Sequence, residues 1–345
     1  MKKVCIFKPR LDIGFKSAEE SECNDSPKPF KQLPPIRQHW ARFVNELKDY
    51  HHRKGDDVKI VELPRFKIKK NLVEKENADI TYIPHFEKKD FGGNDSCVYY
   101  HQTVFPSLFT LDSKGFAGGS EYSEKSIDFT KWDDGGKTFE LYKKRADSLV
   151  SKYEYKSVKW KNPYKKESES PFLILVPFQL PNDYVIKNHS KILVDEFILK
   201  LTRFAHRYGS SRNFRLVIKH HPQDTKFKIG KILTQVFKQN TFNNMVFVDK
   251  DVNIHSVLEQ VDAVYLINSG VGIEAMLHDI PIIRFGDADY NCVIPKGNID
   301  ELESVLKTVK TLRHKNENMK VAYRCFYNWF INNICFDSNN GEKYD

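Results

Sequence analysis

Four groups of polar residues in the second half of the chain have side chains that could take part in catalysis or ligand binding. Each group follows an apolar run that is typical of a strand. The first group places Gln179 and Asp183, an amide and a carboxylate, just beyond such a run. A carboxylate at a strand end can take part in acid–base or nucleophilic chemistry. Asp183 can equally well begin the next helix as its N-cap, so both roles stay open.

The second group is Lys219, His221 and Pro222, which follow the next apolar run. Pro222 ends the strand and fixes the turn. Lys219 and His221 can donate hydrogen bonds to phosphate oxygens, with lysine acting as a compact cation. The alternative is a surface turn that carries a pair of histidines. A metal site is disfavoured because no acidic partner is suitably spaced.

The third group runs from a strand through a tight turn into a helix and is the most specific of the four. Ser269 and Gly270 expose backbone N–H groups at the helix N-terminus, which predicts an anion site. Glu274, one turn further on, could accept a hydrogen bond from a ribose hydroxyl or a base. The pattern is neither a dinucleotide fingerprint nor a P-loop. A glycine turn with a capping serine is the alternative.

The fourth group, residues 284–290, follows the last apolar run and can line the same cleft or form a plain turn. A parallel sheet would bring these strand ends together. Strands that are apolar throughout and alternate with helices predict a Rossmann-like domain, with its ligand at the carboxyl ends of the strands. The predicted strands are 172–178, 214–219, 245–248, 263–267 and 281–285, and the predicted helices are 189–208, 226–240, 254–261, 271–278 and two in 298–332.

The first half predicts short strands, one amphipathic helix over 37–50, and a glycine-rich polar loop at 112–122. Long loops in compact domains often carry function. A polar stretch bracketed by prolines predicts a linker. The domain prediction is therefore an N-terminal α/β domain over 1–160, a linker over 161–170, and a Rossmann-like domain over 171–345.

Composition excludes some classes of protein. The longest apolar stretches have about seven residues, against the roughly 20 that a membrane-spanning helix needs. The N-terminus does not resemble a secretory signal, and six scattered cysteines without a CxxC pair favour reduced, cytosolic thiols. The net charge of +9 favours anionic partners, although lysine-rich surfaces are also common without such a role.

The four groups, in this order, resemble the capsule polysaccharide synthesis family. The family pattern places P-x-Q-x-x-x-D, K-x-H-P, an N-S…G-x-E-A turn and F-G with a nearby tyrosine after successive strands. The matching positions here are Pro177, Gln179 and Asp183; Lys219, His221 and Pro222; Asn268, Ser269, Gly272, Glu274 and Ala275; and Phe285, Gly286 and Tyr290. In the first half, residues 112–121 are similar to the family's acceptor-side loop, but Ala117 and Gly119 depart from its pattern.

The resemblance implies an α/β, GT-B-like fold in which two Rossmann-like domains face a central cleft. It also implies a retaining β-Kdo transferase that moves Kdo from CMP-Kdo to a surface polysaccharide or glycolipid. Asp183 would then be the nucleophile and Glu121 the acid–base group, while Lys114 and Tyr290 would line the acceptor side or the cleft. The donor-binding residues would be Gln179, Lys219, His221, Pro222, Asn268, Ser269, Gly270, Gly272 and Glu274.

No metal or other cofactor is expected, because Lys219, His221 and the helix terminus at Ser269 could balance the phosphate charge of CMP. The expected partners are a CMP-sugar donor, a glycan or glycolipid acceptor and an anionic membrane surface, without specific nucleic acid. The expected location is the cytoplasm, at the inner face of the membrane. The alternatives are a sialyltransferase-like or other nucleotide-sugar transferase, a nucleotide-sugar epimerase, and a non-catalytic polyanion-binding protein.

Overall fold

The computed structural model describes residues 1–9, 35–63, 68–92, 95–146, 158–164, 170–222, 244–314 and 317–338. The chain forms two compact units. Unit 1 contains Met1–Tyr122 and the stretch from Phe330 onward, and unit 2 contains Ser123–Trp329. The predicted boundary at residue 160 is therefore corrected to Tyr122, and the predicted C-terminal domain loses its last stretch to unit 1. The middle of the predicted linker, residues 165–169, lies outside the described residues.

Unit 1 contains a mostly parallel sheet. Its strands are β1 (Lys3–Pro9), β2 (Asp57–Leu63), β3 (Ile80–Pro84), β4 (Cys97–Gln102), β5 (Leu108–Asp112) and β11 (Cys335–Asp337). The order is β11-β5-β4-β3-β1-β2. The first four strands pair in parallel, whereas β5 and β11 run antiparallel to their neighbours. The late strand β11 was not predicted, and it explains why the chain returns to unit 1.

Helices cover both faces of the unit 1 sheet. Helix α1 (Pro35–Arg53) packs an apolar stripe of Trp40, Phe43, Val44 and Leu47 on one face, which confirms the helix predicted over 37–50. Helix α2 (Lys70–Glu76), which was not predicted, buries Val73 on the other face. The inner strands β1 and β3 are buried on both sides and mostly apolar, whereas the edge strand β2 is partly exposed and alternates polar with apolar residues.

Unit 2 contains a five-stranded parallel sheet in the doubly wound order. Its strands are β6 (Phe172–Pro177), β7 (Phe214–Lys219), β8 (Met245–Val248), β9 (Ala263–Leu266) and β10 (Ile282–Arg284). The spatial order is β10-β9-β6-β7-β8, and all described pairs are parallel. The winding direction reverses between β6 and β9. Doubly wound sheets bind their ligands beyond the carboxyl ends of the strands at such a switch point.

Helices pack around this sheet. They are α3 (Lys137–Ala146), α4 (Tyr184–His189), α5 (Val194–Tyr208), α6 (Ile254–Leu258), α7 (Val271–Met276), α8 (Leu302–His314) and α9 (Glu317–Trp329). The helix predicted over 189–208 is present as α5, which begins later, at Val194, and the separate short helix α4 before it was not predicted. Ser190 Oγ bonds both the N–H and the carbonyl of Ile192, and this local turn competes with the helix. The helix predicted over 226–240 lies outside the described residues.

The two sheets confirm the predicted α/β class with two Rossmann-like units. A cleft between the units stays a prediction. Within the described segments, every helix is too short or too polar to cross a lipid bilayer.

Candidate active site

The predicted site residues of unit 2 follow β6, β7, β9 and β10, so their strand ends share the carboxyl edge of one sheet. Strand β6 pairs with both β7 and β9, and β10 pairs with β9. The four groups identified in the sequence therefore belong to neighbouring strands around the switch point. Their side chains differ in exposure and in the hydrogen bonds that they make within the fold.

Gln179 and Asn268 bond to each other across the switch point. Gln179 Nε2 donates to Asn268 Oδ1 at 2.9 Å, and the Asn268 backbone N–H donates to Gln179 Oε1 at 3.1 Å. Asn268 Nδ2 donates to the carbonyl of Val185 in α4 at 2.9 Å. Both side chains are buried. They hold the ends of β6, β9 and α4 together, and the contact of both residues with the donor stays a prediction.

Asp183 is exposed at the N-cap position of α4. Its side chain makes no capping hydrogen bond. Its backbone N–H donates to the Leu180 carbonyl at 3.0 Å, and its carbonyl accepts from the Lys187 N–H at 3.2 Å. The backbone is thus fixed while the carboxylate remains accessible, as a residue that attacks a substrate requires.

Lys219 is buried, with 4% of its surface exposed. Nζ donates to the carbonyls of His220, Asp249 and Lys250 at 3.2, 2.9 and 3.2 Å. Burial lowers the pKa of Lys219 to about 8, and the negative charges of Asp249 and Asp251 partly oppose this effect. An ammonium has three N–H donors. The prediction that Lys219 donates to phosphate is therefore corrected: its donors tie the ends of β7 and β8.

His221 and Pro222 are half-buried in the turn after β7. The neighbouring His220 ring packs against Phe178 and Phe247, with ring centroids 5.7 and 6.3 Å apart. The His220 ring is thus part of the packing around the strand ends, and both histidines keep partial access to solvent. The predicted phosphate role in this group now rests on His221.

Ser269 and Gly270 form the turn between β9 and α7 and are half-buried. Gly270 occupies the N-cap position, and Ser269 Oγ accepts from the Val271 N–H at 3.3 Å. The Ser269 carbonyl accepts from the Tyr290 hydroxyl at 2.5 Å and from the Gly272 N–H at 3.0 Å. The predicted strand–turn–helix geometry is present, and contacts from inside the fold hold the turn in place.

Gly272 and Tyr290 are in close contact. A Cβ atom on Gly272 would lie 2.4 Å from Tyr290 Cζ and 2.6 Å from its hydroxyl oxygen. Tyr290 is fully buried, and burial raises its pKa well above the usual range. Both predictions are corrected here: Tyr290 belongs to the core and does not line a cleft, and Gly272 makes room for the Tyr290 ring.

Glu274 lies in the first turn of α7, where its charge complements the helix dipole, and 16% of its side chain is exposed. Its Oε1 lies 3.5 Å from Nε2 of His255 in α6. Nδ1 of His255 lies 2.9 Å from Nε2 of His278. Neither histidine was predicted, because 23 residues separate them and no motif pairs them before folding.

The loop after β10 is held by Arg284. Its Nε donates to the Ile294 carbonyl at 3.0 Å, and Nη1 donates to the Gly286 carbonyl at 2.9 Å and to Asp287 Oδ1 at 3.1 Å. Arg284 is buried. Of the two predicted readings of this group, the structural turn fits these contacts.

The unit 1 loop is organised by Asp112 at the end of β5. Its carboxylate accepts from the backbone N–H groups of Lys114 at 2.7 Å, Gly115 at 2.9 Å, Glu121 at 2.9 Å and Tyr122 at 3.3 Å. Glu121 is half-buried and its Oε2 accepts from the hydroxyl of Ser113 at 2.7 Å, while Lys114 is exposed. Lys114 and Glu121 thus belong to one closed loop. An encounter of Glu121 with Asp183 stays a prediction.

The fold and these strand ends define a protein of two Rossmann-like units with an accessible carboxylate at a switch point. Residues 135–294 match the family described as "Capsule polysaccharide biosynthesis protein". This segment, which contains the four groups of unit 2, is similar to that family, and the resemblance seen in the sequence is confirmed.

Individual relatives include the Escherichia coli "Capsule polysaccharide export protein KpsS", which is 29% identical over 119 residues. That match spans 34% of this chain and 30% of the relative. Among solved structures, the Thermosulfurimonas dismutans KpsC β-Kdo 2,7 transferase superposes with a TM-score of 0.47 at 16% identity, covering 89% of this chain and 94% of that one. The KpsC β-Kdo 2,4 transferase gives 0.48 at 13% identity, covering 84% and 85%.

Proposed function

We propose that this protein is a glycosyltransferase of capsule polysaccharide biosynthesis that transfers Kdo from CMP-Kdo, with retention of configuration, to a glycan or glycolipid. The observation that carries the proposal is the placement of Asp183. Its carboxylate is exposed beside the switch point of unit 2, on a helix that Asn268 fixes through Val185. The same segment matches the capsule polysaccharide biosynthesis family.

The proposed reaction is a double displacement. The Asp183 carboxylate attacks the anomeric carbon of Kdo, the bond from that carbon to the phosphate oxygen breaks, and CMP leaves with the electron pair. An acceptor hydroxyl then attacks the same carbon, releases Asp183 and gives its proton to Glu121. Two inversions at one carbon produce net retention.

Donor binding in this proposal uses the residues that remain accessible. His221 donates to the phosphate, the turn at Ser269 and Gly270 offers backbone N–H groups, and Glu274 accepts from the ribose hydroxyls. Lys219 contributes its charge from inside the sheet. The proposal assigns no metal ion to the site. Titration of CMP in EDTA checks this point, since binding that requires added Mg²⁺ or Mn²⁺ would contradict it.

Intact-protein mass spectrometry after incubation with CMP-Kdo tests the chemistry. Loss of the base slows the second step more than the first, so Glu121→Gln should accumulate protein that carries one Kdo residue. The Asp183→Asn variant should carry none. Glu124→Gln, three positions further along the chain, is the matched control and should behave as the wild type. An adduct that survives in Asp183→Asn contradicts the assignment.

The choice of donor is tested with a panel of CMP-Kdo, CMP-sialic acid and UDP-sugars. Consumption of CMP-Kdo alone supports the proposal, and consumption of CMP-sialic acid alone favours the sialyltransferase-like alternative. Conversion of a nucleotide sugar to its epimer without an acceptor would identify an epimerase. Binding without turnover of any donor leaves a non-catalytic protein.

We also propose that the protein contacts the anionic inner face of the cytoplasmic membrane. Arg203 and Arg207 are exposed one turn apart on α5 and line a groove with Lys307 of α8. The acidic residues Asp300, Glu301 and Glu303 line the same groove. Each basic side chain near an anionic bilayer contributes roughly 1 kcal/mol. Flotation with anionic vesicles should fall at high salt and in Arg203→Gln/Arg207→Gln. Equal flotation with neutral vesicles would contradict the proposal.

A further inference from the structure

Three titratable side chains contact one another in a row near the turn between β9 and α7. Glu274 Oε1 lies 3.5 Å from His255 Nε2, and His255 Nδ1 lies 2.9 Å from His278 Nε2. His255 is 5% exposed, so bulk water does not compete strongly for its ring. The Glu274 side chain, at one end of the row, is 16% exposed.

The position of the proton on His255 follows from its two neighbours, Glu274 and His278. The pKa of His278 is lowered to about 3, mainly by burial and to a smaller extent by the positive charges of His255 and Lys143. Its ring is therefore neutral near pH 7. A carboxylate facing an imidazole nitrogen is stabilised by an N–H and repelled by a lone pair. A proton on His255 Nε2 is therefore the arrangement that stabilises the pair.

Two proton arrangements place a hydrogen on His255 Nε2. A neutral His255 can accept at Nδ1 from the Nε2–H of His278, or a charged His255 can donate from Nδ1 to a bare Nε2 of His278. Both arrangements leave a hydrogen on His255 Nε2, 3.5 Å from Glu274 Oε1. The Glu274 carboxylate thus favours a protonated Nε2 on His255, and His278 pairs with the other ring nitrogen in either arrangement, as donor or as acceptor.

The backbone that carries His255 is also fixed. The His255 N–H donates to Asn253 Oδ1 at 2.8 Å, which caps α6. The next residue, Ser256, accepts from the Trp160 N–H at 2.9 Å through its hydroxyl. Helix α6 is thus anchored at its start, and its first-turn histidine faces α7.

We propose that His255 is a positioning residue for donor binding: its Nε2–H holds the Glu274 carboxylate in the orientation that accepts the ribose hydroxyls, and His278 pairs with the other ring nitrogen. The inference rests on the proposed function, which assigns Glu274 to the nucleotide. The inference adds His255 and His278 to the site. Both lie outside the four groups identified in the sequence, and neither is assigned a contact with the sugar.

Two substitutions of His255 separate positioning from general stability. In His255→Gln the side-chain amide can replace Nε2 and keep an N–H near Glu274, whereas in His255→Asn it replaces Nδ1 and keeps only the contact with His278. Loss of an outer group that orients a ligand-binding side chain typically weakens binding by about 10-fold or more. Calorimetric titration of CMP should therefore show that loss in His255→Asn, with His255→Gln closer to the wild type. Melting temperatures of the two variants should fall by similar amounts.

Equal CMP affinity in the wild type and His255→Asn, or equal losses in both variants, would overturn the inference. The ¹⁵N spectrum of the wild-type protein gives a test without any variant: a protonated Nε2 on His255 is expected, and a bare Nε2 would overturn it. A wild-type protein that binds no CMP overturns the proposed function itself. That result differs from CMP binding that is insensitive to His255, which removes this inference alone.

Discussion

Gln179 and Asn268 exchange two hydrogen bonds between the ends of β6 and β9, at the place where the sheet of unit 2 reverses its winding. Adjacent strands at a switch point lead their following segments to opposite faces of the sheet, which leaves a crevice between them. The two amides bridge the floor of that crevice. Asn268 extends the bridge to Val185, so the helix that begins at Asp183 is tied to both strands.

This pairing predicts strong energetic coupling between Gln179 and Asn268. Gln179→Met and Asn268→Leu each leave buried polar groups without a partner, which costs about 1–3 kcal/mol in the free energy of unfolding. The double variant should lose less than the sum of the two, with a coupling of roughly 0.5–3 kcal/mol. Urea denaturation of the four proteins measures it, and additive losses would argue against the pair.

Asp183→Ala should abolish sugar transfer and leave CMP affinity nearly unchanged, because the carboxylate meets the sugar and not the nucleotide. Removal of a nucleophile lowers turnover on the order of 10⁴-fold or more. Its side chain makes no capping bond, so the melting temperature should change little. Asp195→Ala, in the first turn of α5, is the matched control with normal turnover. An active but less stable Asp183→Ala would identify a helix cap.

Lys219 should make stability depend on pH above neutrality. Its pKa is lowered from 10.5 to about 8 in the folded protein. Between these values the unfolded chain holds more protons at this site, so the free energy of unfolding rises with pH. The rise is about 1.4 kcal/mol per pH unit in that window. Urea denaturation should show it for the wild type relative to Lys219→Met. The exposed Lys191→Met should follow the wild type, and parallel curves for Lys219→Met would refute the prediction.

Gly272→Ala should be destabilising, because the new methyl group would overlap the ring of Tyr290. Overpacking of this kind costs about 1–3 kcal/mol. The smaller side chain in Tyr290→Leu makes room, so the double variant should be more stable than the sum of the single effects predicts. Thermal melting of the three variants measures this relation. An unchanged melting temperature in Gly272→Ala would contradict the prediction, because it would show that the Tyr290 ring can move aside at no cost in stability.

Tyr265→Phe should leave stability unchanged or raise it. The Tyr265 hydroxyl is buried in β9 and has no hydrogen-bond partner in the described part of the chain. A buried polar group without a partner costs about 1–3 kcal/mol. The matched control is Tyr323→Phe, whose hydroxyl donates to the Ile280 carbonyl at 3.1 Å and whose loss should be destabilising. Equal losses in both variants would point to an unseen partner for Tyr265.

Most of the sheet of unit 2 could be predicted from sequence because parallel strands covered on both faces are apolar at every position. The strands 214–219 and 245–248 were predicted with the bounds that the structure has. The break between α4 and α5 was missed, since it depends on the local bonds of Ser190. Strand β11 was missed because three residues on a sheet edge carry no periodic signal.

The candidate site was predictable in its location but not in the state of each side chain. Residue types and strand ends placed Gln179 and Asn268 at one edge, and the structure joins them. The carbonyls that occupy Lys219 lie up to 31 positions away and belong to the backbone, which gives no residue-type signal. The burial of Tyr290 likewise depends on the missing Cβ of Gly272, a contact between α7 and the segment after β10.

The return of β11 to unit 1 has a consequence for synthesis on the ribosome. Every other strand of that sheet has been translated by residue 112, yet β5 gains its outer neighbour only when residues 335–337 emerge. The whole of unit 2 is made in between. During that interval the nascent chain carries β5 as an open edge, which is a template for pairing with other chains. A chain truncated within α9 would therefore have all described strands of the unit 2 sheet, while the edge strand β5 of unit 1 would be open to pairing with other chains.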